Sequence, residues 1–226
     1  MTYDELVEKI DDDYRIIDLE IDEPALATYT AALVSNTGVH QKDWWWYLGV
    51  SDETLQEKID LHKARILDLE TFVLDGEQLF AAILVPNDGA AALDWSWYFN
   101  ADADFLENAI TEYDQRIVDL EHYLLDGTWY FSAVMIVNSG ADNKDWWWYT
   151  AVSADFLTDR LTEHGARLVD LEKIGPDSYT AVLEKNPGKG WWWWLDGSMD
   201  SINLLANKEG ARVIDIERHS DDTGPP

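Results

Sequence analysis

The chain lacks cysteine altogether, and this absence removes several kinds of chemistry from consideration. A disulfide framework, a thiolate metal site and a cysteine nucleophile all need a residue that the sequence does not contain. Apolar runs are short as well, and none approaches the length needed to cross a bilayer. No basic N-terminal segment leads into an apolar run, so we expect a cytoplasmic protein.

Basic residues are scarce relative to acidic ones. The 226 residues include 45 Asp and Glu against 16 Lys and Arg, which gives a formal charge of -29. Such a chain repels phosphate backbones and anionic headgroups, so we expect neither nucleic acid nor a membrane as a partner. Three explanations of the charge stay open: solubility of an aromatic-rich chain, adaptation to high salt, or attraction of a cationic ligand or basic partner.

Recognisable catalytic motifs are also missing. The sequence contains no His-Glu-x-x-His zinc motif, no Gly-x-Ser-x-Gly nucleophile elbow and no P-loop. Paired carboxylates are abundant and keep a hydrolase with a carboxylate site open as an alternative. Any such pair would recur in every repeat described below, which is unlike an active site. We therefore predict that the protein is not an enzyme.

What the sequence contains instead is an internal repeat. The hexad Arg-Ile-Ile-Asp-Leu-Glu at residues 15–20 returns, with aliphatic exchanges, at intervals of 50, 51, 51 and 45 residues. The later copies are residues 65–70, 116–121, 167–172 and 212–217. This predicts one repeat domain over 1–219, with units at about 2–50, 51–101, 102–152 and 153–197, a partial unit at 198–219 and a disordered tail at 220–226.

Each unit predicts the same order of elements. A helix begins after an N-cap at Ser51, Asp102, Ser153 or Ser198. The hexad strand follows, then an apolar strand, and then an aromatic strand after an Asn-x-Gly turn. We therefore predict an α+β fold: tandem repeats of a helix plus a three-stranded antiparallel meander, stacked or closed into a ring.

Each hexad carries Asp at its fourth place and Glu at its sixth. Strict alternation puts Arg15, Ile17 and Leu19 on one face of the strand, and Ile16, Asp18 and Glu20 on the other. The recurrence of Arg and Asp predicts a structural ion pair, repeated between neighbouring strands or with a helix end. A ring of carboxylates that binds Ca²⁺ is the alternative, although no Asp-x-Asp-x-Asp-Gly loop occurs. We accordingly expect no metal and no cofactor.

The aromatic strands contain four consecutive places with different patterns. The first and third places hold Trp in every copy, which predicts core packing. The second place is Trp45, Ser96, Trp147 or Trp192, and acceptance of serine predicts that it faces outward. The fourth place lies on the same face as the second. We call the second and fourth places together the aromatic ledge.

The aromatic ledge and the acidic residues that precede it form the candidate ligand site. Aromatic faces beside carboxylates suit a cationic small molecule, a basic peptide or a glycan. The candidate ligand-binding residues are Trp45, Trp147, Trp192, Tyr47, Tyr98, Tyr149, Trp194, Asp43, Asp94 and Asp145. A contact between repeats or between chains is the competing explanation of the ledge.

Several of these segments resemble a known family. Gly165-Ala-Arg167-Leu-Val-Asp170, then Tyr179-Thr-Ala-Val182, a Trp-rich strand, a Ser-capped helix and Gly210-Ala-Arg212 resemble the bacterial tandem-repeat module. That module occurs in tandem and in the N-terminal region of polyglycine hydrolases, beside a separate serine-hydrolase domain that this chain does not contain. The resemblance implies a non-catalytic accessory or binding role.

The function that we predict is therefore a non-catalytic repeat binding module that holds a cationic ligand, a peptide or a glycan on its aromatic ledge. An acidic protein–protein interaction protein, of the immunity or inhibitor type, is the first alternative. Its binding depends strongly on salt and little on the ledge tryptophans. The hydrolase with a carboxylate site is the second alternative.

Overall fold

The computed structural model describes residues 1–10, 13–89 and 92–217, and the helices after the four predicted N-caps begin where the sequence predicts. The helices are α1 (Tyr3–Lys9), α2 (Asp52–His62), α3 (Ala103–Tyr113), α4 (Ala154–His164) and α5 (Met199–Glu209). The side chains of Ser51, Asp102, Ser153 and Ser198 each accept a backbone N–H from the first turn, so the predicted N-caps are confirmed. The tail predicted at 220–226 lies outside the described residues.

The strands of the described residues form four small antiparallel sheets, so the α+β class is confirmed. The hexads lie in β1 (Tyr14–Glu23), β4 (Ala64–Leu74), β7 (Gln115–Leu125) and β10 (Ala166–Gly175). The apolar strands are β2 (Thr28–Ser35), β5 (Glu77–Pro86), β8 (Thr128–Val137) and β11 (Ser178–Lys185). The aromatic strands are β3 (Trp45–Val50), β6 (Trp95–Ala101) and β9 (Trp146–Val152).

The sheets differ from the predicted meander in which aromatic strand each one contains. In each three-stranded sheet the apolar strand is central, as in the order β3-β5-β4. The aromatic strand at the edge precedes the helix in the chain, so it pairs with the sheet of the next hexad. One structural unit therefore consists of an aromatic strand, a helix, a hexad strand and an apolar strand. The predicted meander of hexad, apolar and aromatic strands within one unit is wrong.

The loop between the apolar and aromatic strands explains this order, because it is too long for a hairpin turn. The Asn36 side chain donates to the carbonyl of Lys42 at 3.0 Å and accepts from the N–H of Lys42 at 2.8 Å. Asn138 makes the same two bonds with Lys144. The loop is thus fixed in an open shape, and it carries the chain into the next sheet.

A β-bulge in each hexad strand changes which side chains share a face. The pairing register shifts between Ile16 and Asp18, and an equivalent shift occurs in β4, β7 and β10. A bulge places two consecutive residues on the same side of a strand. Ile16 and Leu19 therefore lie together in the core with Leu6 of α1. The predicted grouping of Ile17 with Leu19 and of Ile16 with Asp18 is wrong, because strict alternation ignores the extra residue.

The aromatic strands join consecutive units. Trp44 and Trp46 pack on the core of the first unit, which contains Ile16 and Leu19. The corresponding contacts with the cores of the second, third and fourth units are made by Trp95 and Trp97, by Trp146 and Trp148, and by Trp191 and Trp193. The predicted core packing of the first and third aromatic places is therefore confirmed, and the core in question is that of the preceding unit.

The first and fifth units are incomplete in the described part of the chain. β1 and β2 form a sheet of two strands, and residues 191–194 and 211–217 are in no strand. The fifth unit thus has a helix, but no apolar strand packs against it within the described residues. Helix α4 buries Leu157 and Leu161, whereas α5 has no buried residue. Apolar surface is therefore left open in the fifth unit.

Burial differs enough between helices to give a test of the fold. Leu106 of α3 is fully buried, whereas Leu204 of α5 is 70% exposed. We expect Leu106→Ala to lower the free energy of unfolding by about 2–5 kcal/mol, because it leaves a cavity. Leu204→Ala is the control, with an expected change within about 0.5 kcal/mol. Chemical denaturation measures both, and equal losses would contradict the described packing of α5.

Candidate functional site

Part of the aromatic ledge packs against the helix of its own unit. The Trp45 indole stacks on the His62 imidazole, with ring centroids 4.1 Å apart and an interplanar angle of 14°. The Tyr47 hydroxyl lies 2.7 Å from Nε2 of the same histidine. Trp45 and Tyr47 are half-buried against the core of the second unit. The prediction that they face outward is wrong, because α2 and its last residue cover them.

The fourth unit repeats this arrangement. Trp147 stacks on His164 with centroids 4.0 Å apart and an interplanar angle of 5°. The Tyr149 hydroxyl lies 3.0 Å from Nε2 of His164. Both ledge rings pack against the core of the fourth unit, so they do not face outward either. In each of these two units a Trp–His–Tyr group therefore closes the C-terminal end of the helix.

The third unit fills the same space with an amide. The hydroxyl of Ser96 donates to Oε1 of Gln115 at 3.0 Å, and Tyr98 donates to the same oxygen at 3.4 Å. Gln115 occupies the place that Ala64 has in the second unit and Ala166 in the fourth, and all three are buried. The two units with tryptophan at the second aromatic place have alanine here, whereas the unit with serine has glutamine. Serine at the second aromatic place therefore does not indicate an exposed position.

The acidic residues before the aromatic strands are exposed at the strand starts. These residues are Asp43, Asp94 and Asp145. The carbonyl of Asp94 accepts from the N–H of Val137, and that of Asp145 accepts from the N–H of Lys185, both at 2.8 Å. These backbone bonds fix where two of the aromatic strands begin and leave the carboxylates in solvent. A role of these carboxylates in ligand binding stays a prediction.

The exposed part of the aromatic ledge lies in the fifth unit. Trp192 and Trp194 are 48% and 44% exposed. An open groove of ≈ 490 Å³ separates this segment from the end of α4, and the groove is lined by Trp191, Trp192 and Trp193 together with Thr158, Thr162 and Asn186. Gly190 stands where the other units have aspartate, and a Cβ at Gly190 would lie 3.3 Å from the Trp192 ring. A side chain at this place, such as the aspartate of the other units, would crowd the Trp192 ring.

A second candidate site is formed by carboxylates that join neighbouring hexads. Asp170 Oδ2 accepts a hydrogen bond from the backbone N–H of Leu120 at 2.7 Å. The equivalent described bonds run from Leu69 to Asp119, from Leu171 to Asp215 and from Ile216 to Asp18. The last of these bonds joins the fifth hexad to the first. The aspartates therefore connect units that follow each other in the chain, and Asp18 also connects the first unit with the fifth.

The hexad arginines do not neutralise these aspartates. Arg116 and Arg167 both pair with Glu184 of β11, and Lys144 donates to Glu184 Oε2 at 2.6 Å. Nε of Arg15 is buried without a hydrogen-bond partner. Among the described residues no ion pair joins a hexad arginine to a hexad aspartate. The predicted repeated ion pair is wrong, because the carboxylates turn to backbone N–H groups of the neighbouring hexad.

The hexad glutamates converge on the same region. One carboxylate oxygen from each of Glu121, Glu172 and Glu217 lies within 4.8 Å of the other two. Glu20 and Glu70 are also buried, at 7% and 8% exposure. We call the ten acidic residues of the hexads the hexad carboxylate cluster, namely Asp18, Asp68, Asp119, Asp170, Asp215, Glu20, Glu70, Glu121, Glu172 and Glu217. Several interact by charge across units.

Burial raises the pKa of every carboxyl group in this cluster. It brings the pKa of Glu172 to about 8 and that of Asp215 to about 7. For Glu20 the charge of Glu70 adds to the effect of burial, because two close negative charges disfavour each other. At neutral pH the cluster therefore holds protons, unless a cation replaces them.

The sequence shows only part of this cluster. The Asp-x-Glu pattern in five hexads is visible, and a carboxylate ring is one of the two explanations that it allows. The bulge, which separates Asp18 from Ile16, leaves no signal that alternation can detect. The Trp45–His62 pair is equally hidden, because the two residues are far apart in the repeat and only helix docking brings them together.

Comparisons of the chain with protein families, with curated proteins and with solved structures found no match. Within the described ranges, no helix combines the length and the apolar character that a membrane span requires. The internal repeat and the geometry of its units therefore carry the functional argument.

The second and third units differ in the pair of residues at the second aromatic place and at the place of Ala64 and Gln115, and this difference gives a test of how the ledge packs. We expect Trp45→Ser to lower the free energy of unfolding by roughly 2 kcal/mol, since a half-buried ring is lost. Adding Ala64→Gln recreates the Ser96–Gln115 pair of the third unit and recovers much of that loss. Denaturant unfolding of both variants measures the coupling. Additive effects of the two substitutions would contradict the shared space.

The raised pKa values predict how stability changes with pH. A carboxyl group whose pKa is raised by folding stabilises the protein below its unfolded pKa, and this stability is lost as pH rises through the folded pKa. With a pKa of about 8 for Glu172 and about 7 for Asp215, metal-free protein loses on the order of 6 kcal/mol of stability between about pH 5 and about pH 8.

Thermal unfolding across this pH range measures the effect. Glu172→Gln removes one of the ionising groups, so the pH profile of this variant is flatter than that of the parent protein. Glu107→Gln, at an exposed place on α3, is the matched control and keeps the parent's slope. Stability that rises towards alkaline pH in metal-free protein is incompatible with buried, raised carboxyl groups.

Proposed function

We propose that the chain is a non-catalytic repeat binding module that binds a glycan in the groove of the fifth unit. The observation that carries this proposal is the exposure of Trp192 and Trp194, while the ledge rings of the second and fourth units lie under their helices. Exposed aromatic surface beside a groove is typical of a ligand site. The other ledge residues then serve packing within their units.

The polar groups of the groove favour a ligand that donates hydrogen bonds. The Thr158 hydroxyl donates to the carbonyl of Ala154 at 3.0 Å, and the Thr162 hydroxyl donates to the carbonyl of Thr158 at 3.0 Å. With their protons used inside α4, both oxygens offer lone pairs to the groove. A sugar ring can stack its apolar face on an indole while its hydroxyl groups donate to these oxygens.

A cationic ligand fits this groove less well, because none of the described residues that line the groove is acidic. Gly190 replaces the aspartate found before the other aromatic strands. The formal charge of -29 still attracts cations at long range. Cationic small molecules and basic peptides are therefore kept as comparison ligands in the test below.

We also infer that the five units close into a ring through their hexads. This inference is supported by the bond from the N–H of Ile216 to the carboxylate of Asp18, which joins the fifth hexad to the first. The charge of Arg212 acts on Arg15, which again brings these two hexads together. This closure supports the predicted single repeat domain, of which the structure describes residues up to 217. The resemblance to the bacterial tandem-repeat module implies a binding role as well, and we propose that the chain is related to that module.

A tryptophan-fluorescence titration tests the proposal. The ligands are neutral oligosaccharides, choline, polyamines and a Lys-rich peptide, each at low and at high salt. We expect a saturable change with an oligosaccharide that is insensitive to salt, since no charge pairing is involved. Trp192→Ser weakens that binding by at least about tenfold, which is ~1.4 kcal/mol.

The variant Trp45→Ser with Ala64→Gln is the matched control, because it removes a ledge tryptophan from a unit whose helix covers it. This control keeps the affinity of the parent protein. A response to cationic ligands alone, abolished by high salt, favours the acidic interaction protein over the glycan module. No response to any ligand in the panel, or equal losses in Trp192→Ser and the control, overturns the proposal.

A further inference from the structure

The convergence of three glutamates gives the hexad carboxylate cluster the geometry of a cation site. Glu121, Glu172 and Glu217 come from three different units and bring one oxygen each within 4.8 Å of the other two. A point therefore exists within about 2.8 Å of all three oxygens, and small side-chain shifts reach the Ca²⁺–oxygen distance of about 2.3–2.6 Å. Carboxylate oxygens are the ligands that hard divalent cations prefer.

Unpartnered oxygens within the cluster are an independent sign of a missing ligand. Oε1 of Glu172 is buried without a hydrogen-bond partner, and Glu172 as a whole is only 7% exposed. Oδ2 of Asp18, Oδ2 of Asp68 and Oδ1 of Asp170 are in the same state, on residues that are 5%, 7% and 5% exposed. A buried polar atom without a partner costs free energy, and a bound cation satisfies several such atoms at once.

The basic residues of the repeat do not satisfy these oxygens. Arg116, Arg167 and Lys144 all converge on Glu184, which lies in β11 outside the hexads. The charges that act on Glu217 most strongly come from Glu172, Glu20, Asp215 and Glu121. The cluster thus concentrates acidic groups, and the ion pairs of the described residues give it no positive counterpart.

We propose that the hexad carboxylate cluster binds a divalent cation of the Ca²⁺ class, with Glu121, Glu172 and Glu217 as its principal ligands. The site needs no EF-hand loop, because its oxygens come from several units and not from one continuous segment. Ca²⁺ accepts six to eight oxygen ligands in flexible geometry, whereas Mg²⁺ needs a tight octahedron and keeps its water. Bound Ca²⁺ joins the third, fourth and fifth hexads at one point.

Isothermal titration calorimetry with CaCl₂ tests this proposal on the full, metal-free chain at slightly alkaline pH. We expect saturable binding of about one Ca²⁺ per chain, and weaker binding of Mg²⁺. Glu172→Gln, and Glu121→Gln combined with Glu217→Gln, lower the Ca²⁺ affinity by at least about tenfold. Because each substitution removes buried negative charge, the variants are expected to fold. Thermal unfolding without metal checks this.

The melting temperature in the presence of Ca²⁺ gives a second readout. Ca²⁺ raises it in the parent protein and has little effect in Glu172→Gln, because only the folded parent offers the site. Glu107→Gln on α3 controls for cations held by the acidic surface in general, and it keeps the affinity of the parent. Absence of binding at millimolar Ca²⁺, or equal losses in Glu172→Gln and Glu107→Gln, overturns the proposal. Either result leaves the glycan proposal for the fifth unit unaffected.

Discussion

The hydrogen bond from a backbone N–H of one hexad to the aspartate of the next is the interaction on which the arrangement of units depends. It appears between Leu120 and Asp170, and the bond from Ile216 to Asp18 joins the two ends of the series. An intramolecular hydrogen bond contributes about 0.5–1.5 kcal/mol net, and a buried N–H left without a partner costs about 1–3 kcal/mol. The bond also requires the bulge, because only the extra residue lets Asp18 turn to the neighbouring unit while Ile16 and Leu19 stay in the core.

This way of joining units has an electrostatic consequence. Every unit that contributes an aspartate to the contact also contributes the glutamate two residues later, so acidic groups accumulate where the hexads meet. Burial then disfavours their ionised forms, and the stability of the assembly becomes dependent on protons or cations. The arginines cannot relieve the charge, because Arg116 and Arg167 are engaged with Glu184. The same contact therefore fixes the units and creates a site for a positive ligand.

Local features of the fold could be predicted from the sequence, and features that need two distant segments could not. The N-caps at Ser51, Asp102, Ser153 and Ser198 and the core role of the first and third tryptophans follow from local patterns, and all are confirmed. The sheet to which an aromatic strand belongs does not follow, because it depends on the loop that Asn36 holds open. The bulge is hidden for a related reason, since aliphatic residues fill both neighbouring places of the hexad.

The second aromatic place shows that a comparison of repeats must take the neighbouring residues of each unit into account. Serine in one copy indicates solvent exposure only if the rest of the unit is unchanged, and here Gln115 replaces the alanine that accompanies Trp45 and Trp147. Trp192 has alanine at the corresponding place, Ala211, but Glu209 stands where α2 and α4 end in the histidine that covers the ring. Its exposure therefore goes with two differences of the fifth unit, namely the missing histidine and the lack, among the described residues, of an apolar strand for the helix to pack against. The surface proposed for ligand binding thus arises from what the fifth unit lacks and not from the repeated motif itself.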